Sequence, residues 1–260
     1  MSMAQSHTKG LSTHGAVWLG FYALVLAAWG GLYAMVLASG LAGMPAGIWG
    51  ALCAGAVHAS FLPLAAMWAL MAAAMMLPTF APALRTFTHL GAAGATGRRD
   101  AAALVAGYLV VWLGVALVGA AAQLGLAQAG LLSPVGSSLS LWLTSGLLAA
   151  AGLYQFSVFK AACLAKCRMP LTFFLQNWAP GPARAFRMGG QLGLLCLGCC
   201  WALMALAFVG GTMNLSWMGA ATLFMVLEKL PDIGRHLTRP AGYALIAAAA
   251  VVGLGATGMI

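Results

Sequence analysis

Long apolar runs separated by short polar segments dominate the chain. A transmembrane helix needs about 20 consecutive, mainly apolar residues. Residues 44–58, between the first two runs, are only weakly apolar and predict an interfacial or re-entrant piece. The pattern therefore predicts an all-α, polytopic transmembrane helix bundle of about seven spans, at residues 16–39, 61–80, 102–127, 138–159, 186–210, 214–230 and 240–259.

The organisation of the chain indicates one membrane domain. Residues 1–15 form a polar tail, and neither a repeat nor a linker rich in Pro and Ser divides residues 16–260. The first apolar run, 16–38, is longer than the core of a typical signal peptide, so we expect a retained anchor.

Basic residues alternate between the predicted loops. The loops after the first, third and fifth spans contain no Lys or Arg. The loops after the second, fourth and sixth spans contain Arg85, Arg98 and Arg99; Lys160, Lys166, Arg168, Arg184 and Arg187; and Lys229, Arg235 and Arg239. Because short cytoplasmic loops carry the excess of Lys and Arg, this alternation predicts a cytoplasmic N-terminus and a C-terminus outside.

Composition agrees with a membrane protein and narrows its chemistry. The chain is 63% hydrophobic and 6% charged, whereas soluble domains are about 25% charged. The lipid bilayer is therefore its predicted partner. The net charge of +9 lies in short loops and does not indicate nucleic acid. The chain has only three acidic side chains, Asp100, Glu228 and Asp232. So few carboxylates argue against catalysis by a carboxylate pair and against a binding site for a hard metal ion. They also argue, more weakly, against an enzyme.

The sequence CLGCCW holds half of the six cysteines within the fifth span. Cys196 and Cys200 are one helical turn apart, Cys199 lies close to the same face, and Met204 extends it. At about 1.5 Å per residue, Cys196 and Cys200 lie roughly 13 and 20 Å from Arg187, near the predicted midplane. Three thiols so placed suit Cu(I), with Zn(II) as the alternative; the competing interpretation is that buried cysteines pack as small hydrophobes.

A second pair, Cys163 and Cys167, lies in the predicted cytoplasmic loop after the fourth span. A helix would place both thiols on one face. The neighbouring basic residues Lys160, Lys166 and Arg168 favour thiolate, the form that binds metals and acts as a nucleophile. The pair is therefore a second candidate metal site, although incidental loop thiols explain the pattern equally well.

Other residues are candidate auxiliary ligands. Met67, Met71 and Met75 repeat every four residues in the second span, and thioethers are soft ligands for Cu(I). The stripe is equally typical of packing against aromatic side chains such as Trp68. Pro78 and Pro82 are predicted to end or kink this span. Two further candidates remain. His58, with Cys53 five residues before it, precedes the second span, and Glu228 ends the sixth span. An ion pair with Lys229 or with a basic loop is the simpler role for Glu228.

Three motifs carry a resemblance to a known family: AMMLP, GLYQFSVFKAACLAKCRMP and GLLCLGCCWALMALAFVGGTMNLSWMGAATLFMVLEKLP. Over roughly residues 60–232 the chain resembles a bacterial family of unknown function whose members are described as predicted metal-binding integral membrane proteins. The resemblance implies metal binding through the cysteine blocks and location in the bacterial inner membrane. It implies no substrate and no reaction.

The leading hypothesis is the binding, delivery or passage of Cu(I) in the membrane, with a metallochaperone or metalloenzyme as partner. The soft groups are ordered vertically, and a conducting path needs several weak sites in series. A membrane thiol–disulfide oxidoreductase is the second hypothesis, because Cys196 and Cys199 form a CxxC. The third is an assembly subunit of a larger membrane complex, with the cysteines as packing.

Overall fold

The computed structural model describes residues 13–40, 60–91 and 97–258, and their regular structure is helical apart from one isolated antiparallel bridge between Leu132 and Ser138. His58, Cys53 and the weakly apolar segment 44–58 lie outside the described residues. The helices are α1 Thr13–Gly40, α2 Phe61–Gly91, α3 Arg98–Gln128, α4 Leu141–Tyr154, α5 Val158–Arg168, α6 Pro170–Asn177, α7 Pro182–Ala205, α8 Ala207–Gly210, α9 Leu215–Lys229 and α10 Pro231–Ala256.

Several helices are suited to an apolar solvent. Within the described part of the chain, five are long and apolar enough to cross a membrane, and α4 with α5 make a sixth if this bent pair counts as one span. Their outward faces carry large apolar side chains, such as Leu26 at 71% exposure and Val118 at 70%. Exposed apolar surface on this scale is not typical of soluble monomers.

Three boundaries differ from those predicted. Helix α2 does not end at Pro78 but continues to Gly91 through both of its prolines. The predicted fourth span is broken, since α4 and α5 meet at a bend of 63°. Helix α10 begins at Pro231, nine residues before the predicted start, and contains Pro240.

Local chemistry explains the first two differences. Pro78 cannot donate the helical hydrogen bond to the carbonyl of Ala74, and Trp29 of α1 donates its indole N–H to that oxygen at 3.0 Å instead. Ser157 caps α5 by accepting hydrogen bonds from the backbone N–H groups of Phe159 and Lys160. This cap starts a new helix where the sequence predicts an uninterrupted span.

Close helix packing sets the frame of the bundle. The most extensive contact among the described helices is between α3 and α7. A Cβ on Gly107 would lie 2.0 Å from the carbonyl oxygen of Phe186, and one on Gly189 would lie 1.9 Å from that of Leu104. Only glycine permits this backbone-to-backbone approach, which is how membrane helices pack without a solvent-driven core.

The contacts also give the relative directions of the helices around this frame. Helix α2 runs antiparallel to α7, because Trp68 packs against Phe208 of α8, just beyond the end of α7, while Thr79, further along α2, lies 4.0 Å from Cys196 in the middle of α7. Helix α9 returns alongside α7 and brings Lys229 to Cys196. Trp217 near the start of α9 packs against Gly210, so α9 is also antiparallel to α7 and parallel to α2. The end of α9 and Thr79, which lies within α2, both meet α7 at the level of Cys196.

Candidate metal centre

The three cysteines of α7 form a compact, buried group. Cys196, Cys199 and Cys200 are each 1% exposed, and their sulfur atoms all lie within 4.8 Å of one another. Two metal–sulfur bonds of about 2.3 Å span up to about 4.6 Å. The sulfurs are therefore spaced so that one soft ion could bind them with little movement of the chain.

Hydrogen bonds within the cluster distinguish its members. The thiol of Cys199 donates to the carbonyl oxygen of Cys196 at 3.1 Å, and its sulfur lies 3.2 Å from that of Cys200. Cys196 instead faces outward from α7 towards polar groups of three other helices. Its sulfur is thus held by side chains of other helices in the bundle.

Three polar side chains converge on Cys196. The ammonium of Lys229 lies 3.0 Å from its sulfur, and the hydroxyl of Tyr108 also lies 3.0 Å from it. Lys229 donates a second hydrogen bond to Thr79 at 2.8 Å, and Thr79 donates its own hydrogen to the carbonyl of Met76. A buried ammonium needs a compensating anion, and a Cys196 thiolate would supply it.

Glu228 forms one of the two ion pairs predicted for it. Its carboxylate lies 2.9 Å from the ammonium of Lys160, and both side chains are 1% exposed. The predicted pair with a basic residue of another loop is therefore confirmed, whereas the pair with Lys229 is wrong, because Lys229 contacts Cys196 instead. Arg168 donates to the carbonyl of Glu228 at 3.0 Å, so both ends of α5 are tied to α9.

This attachment places the second pair of thiols beside the first. Cys163 is 7% exposed, and its sulfur would lie 2.6 Å from a Cβ on Gly198 of α7. Cys167 lies one turn further along α5 and is half-buried. Cys163 of the second predicted site therefore packs against the helix that carries the triad, while the triad alone has its sulfurs within 4.8 Å of one another.

A cavity opens beside Cys163. It has a volume of about 780 Å³ and is bounded by α5, α6 and α7. Cys163 and the ammonium-bearing Lys166 line it, together with polar side chains that include Gln176 and Gln191. A small molecule or a loop of a partner protein could reach Cys163 here, whereas Cys196 is enclosed.

The methionine stripe of α2 is buried as part of the helical interior. Met67, Met71 and Met75 are 3%, 0% and 3% exposed. Other buried methionines occupy the helices beside it: Met204 on α7, and Met218 and Met225 on α9. All six belong to one buried apolar cluster, so the stripe that the sequence predicts is one part of a larger methionine-rich interior.

The sequence did not identify the polar partners of Cys196. Tyr108 and Thr79 stand in apolar runs, while Lys160 and Lys229 were counted as loop charges. The only local signal was the pair Glu228–Lys229 at the end of an apolar helix, where buried charge is unusual. The alternation of basic loops holds without these two lysines. The loop after the fourth span keeps Lys166, Arg168, Arg184 and Arg187, and the loop after the sixth span keeps Arg235 and Arg239.

Comparison with known proteins gives one result. No curated protein and no solved structure matches the chain significantly. The sequence profile of the family PpoB2, described as copper chaperone, matches residues 65–252, a region that contains all five candidate thiols and their polar partners. Because this match covers well over half of the chain, the protein belongs to the PpoB2 copper chaperone family.

Proposed function

We propose that the protein binds Cu(I) in the bacterial inner membrane through Cys196, Cys199 and Cys200 and exchanges it through Cys163 and Cys167. The observation that carries the proposal is the buried sulfur triad, whose atoms lie within 4.8 Å of one another. Thiolate sulfur is the donor that Cu(I) prefers. The copper chaperone family supports copper rather than zinc as the cargo.

The proposal includes seven membrane crossings with the N-terminus in the cytoplasm. Neighbouring helices support this order. Helix α2 is antiparallel to α7, and the contacts of Gly189 with Leu104 and of Gly193 with Val111 align α3 parallel to α7. Helix α9 has 15 residues, about 22 Å at 1.5 Å per residue, and is the shortest single-helix crossing. The basic loops then face the cytoplasm.

The methionine-rich interior supplies a route between the outer side and the triad. Met67, Met71 and Met75 follow the direction of α2 towards Thr79, which adjoins the triad. Met218 and Met225 follow the parallel α9 towards Lys229, and Met204 lies between on α7. Weak thioether sites in series suit passage better than one tight site. His58, which lies outside the described residues, is the proposed entry ligand on the outer side. The copper is received from or delivered to a metallochaperone or a metalloenzyme.

Elemental analysis tests the binding of copper directly. We expect the purified wild type, loaded with Cu(I) under reducing conditions, to retain about one or two equivalents, and the triple variant with serine at Cys196, Cys199 and Cys200 to lose them. Ala202→Ser is the matched control, since it adds a hydroxyl to the same buried part of α7 without removing sulfur. A wild type without copper, or a triple variant that keeps it, would overturn the proposal.

A thiol–disulfide oxidoreductase remains the second candidate. The observation that favours it is the closeness of the two sulfurs of the CxxC, Cys196 and Cys199, which lie within 4.8 Å of each other. Trapping of a mixed disulfide with a partner in a Cys199→Ser variant would support exchange chemistry. Copper retention with no trapped disulfide would favour metal handling alone.

A further inference from the structure

The cavity beside Cys163 has the dimensions of a small-molecule site. Its volume of about 780 Å³ falls within the range of about 300–1,000 Å³ that is usual for such sites. Cys163 is 7% exposed and lines this cavity, which is bounded by α5, α6 and α7. A reactant that meets its sulfur therefore does so as an occupant of the cavity.

The charge of the lining favours an anionic occupant. Lys166 is the one charged side chain that lines the cavity, among the described residues. The two other cations of α5 are engaged elsewhere: Lys160 pairs with Glu228, and Arg168 donates to the carbonyl of Glu228. None of the three carboxylates of the chain, which all lie in described segments, lines the cavity. The ammonium of Lys166 can therefore pair with an anionic group of a ligand.

The other lining side chains suit a compact polar molecule better than a lipid tail. Amide and hydroxyl groups come from Thr172, Gln176 and Asn177 of α6 and from Gln191 of α7. An acyl chain would cover these groups without pairing them, and polar groups that are buried unpaired cost free energy. A molecule with amide and carboxylate groups would pair them. Apolar side chains such as Phe159 complete the lining and suit the methylene groups of such a molecule.

The charge and the thiol lie within reach of one small ligand. Cys163 and Lys166 are three residues apart on α5, and such neighbours on a helix surface have Cβ atoms about 5–6 Å apart. A molecule whose thiol and carboxylate are a few bonds apart can therefore place its sulfur at Cys163 and its carboxylate at Lys166.

We propose that the cavity binds a low-molecular-weight thiol that carries a carboxylate, and that Cu(I) is exchanged with Cys163 as the complex of this thiol. The inference rests on the proposed function and names the substrate class of its exchange site. In the exchange, a bond between Cu(I) and a sulfur of the small thiol breaks, and a bond between Cu(I) and the sulfur of Cys163 forms. The proton of the Cys163 thiol leaves on the released thiol. Copper stays Cu(I), so the step needs neither an oxidant nor a reductant.

A pair of disulfide probes tests the site without copper. The disulfide of N-acetylcysteine is anionic, and the disulfide of its carboxamide has nearly the same shape without the charge. Each probe transfers one half to the sulfur of Cys163 and releases the other half as a thiol. Mass spectrometry after digestion of the labelled full-length protein gives the rate at Cys163. We expect this rate to saturate at a lower concentration of the anionic probe than of the neutral one.

Substitutions at Lys166 identify the charge that the probes meet. Lys166→Gln should lower the ratio of anionic to neutral labelling rates by roughly three- to tenfold, the range expected for one charge-assisted contact near the surface. Lys166→Arg should preserve the ratio, and taking a ratio cancels any effect of Lys166 on the reactivity of the thiol itself. Arg184→Gln is the matched control, because it removes an exposed cation of α7 that does not line the cavity, and it should leave the ratio unchanged.

Copper transfer tests the second half of the proposal. Stopped-flow loading of the protein from the Cu(I) complex of N-acetylcysteine should be slower in Lys166→Gln than in the wild type. Loading from the Cu(I) complex of the carboxamide, and the final copper content, should be the same in both proteins.

The outcomes separate this inference from the proposed function. A labelling ratio that Lys166→Gln leaves unchanged would overturn the thiol site while copper binding stands. Protection of Cys163 by phosphatidylglycerol in the micelles, but not by N-acetylcysteine, would also overturn it and assign the cavity to a lipid. Charge-selective labelling of a protein that retains no copper would keep the site and overturn copper as the cargo of both proposals.

Discussion

Two pairs of thiols in this protein share one spacing and differ in their surroundings. Cys196 and Cys200 on α7, and Cys163 and Cys167 on α5, are each separated by one helical turn. The α7 pair is enclosed at 1% exposure, with Lys229 and Tyr108 against Cys196. The α5 pair borders the exterior, since Cys163 lines the cavity and Cys167 is half-buried.

The difference shows that spacing gives a shared face but not a role. A sulfur held by several donors in a closed interior is suited to retaining an ion, because its geometry is fixed before the ion arrives. A sulfur beside a cavity is suited to ligand exchange, because an incoming donor can approach it. We therefore expect substitutions in the α7 pair to change affinity and substitutions in the α5 pair to change rates.

The largest expected effect separates the two pairs directly. Cys196→Ser should weaken Cu(I) binding by more than about 100-fold, beyond the loss caused by removing an outer partner. Cys163→Ser should leave the equilibrium affinity nearly unchanged and slow the transfer of copper to an external chelator. Affinity titration and stopped-flow transfer measure the two quantities. Equal losses of affinity in both variants would mean that the pairs form one undivided site.

The second effect concerns the anchor that holds α5 beside α7. Glu228→Gln removes the partner of the buried Lys160 and should lower the free energy of unfolding by about 3–5 kcal/mol. Asp232→Asn is the matched control: its pair with Arg235 spans 3.6 Å and is exposed, so stability should not change measurably. Denaturant unfolding in detergent micelles provides the measurement. Equal stability of both variants would contradict a structural role for the buried pair.

The predictable part of the site is the part that lies within single helices. The one-turn spacing of each cysteine pair follows from the sequence, and so does the stripe of Met67, Met71 and Met75. The capping serine at 157, which turns a predicted span into two helices, was also present in the sequence but its effect was not recognised.

Contacts between helices account for what the sequence did not reveal. Lys229 meets Cys196 across 33 residues of chain, and Tyr108 meets it across 88. No periodicity relates such positions, because their approach depends on how α3, α7 and α9 pack together. The packing of Cys163 against Gly198 has the same origin. Loop charges also misled in detail, since Lys160 and Lys229 lie at segment ends in the sequence but in the interior of the fold.

A smaller effect tests the contact between the two helices that carry the thiols. Gly198→Ala would place a Cβ 2.6 Å from the sulfur of Cys163 and 3.2 Å from the ring of Phe159. Overpacking of this kind costs about 1–3 kcal/mol, and it should displace Cys163 towards the cavity and speed its alkylation by maleimide. Gly114→Ala is the control, because no atom lies within 4 Å of its Cβ position. Unchanged labelling in both variants would show that α5 is not tightly seated on Gly198.

The smallest effect concerns the methionines, whose two possible roles predict different results for one conservative change. Met75→Leu keeps nearly the same volume and should cost less than about 1.5 kcal/mol, so packing alone predicts no change in copper handling. If the thioether is one of several weak sites in series, copper uptake into proteoliposomes should slow several-fold while the equilibrium affinity stays the same. Met188→Leu applies the same change on α7 two turns before Cys196, outside the proposed route. Equal uptake rates in the two variants would assign the methionine stripe to packing.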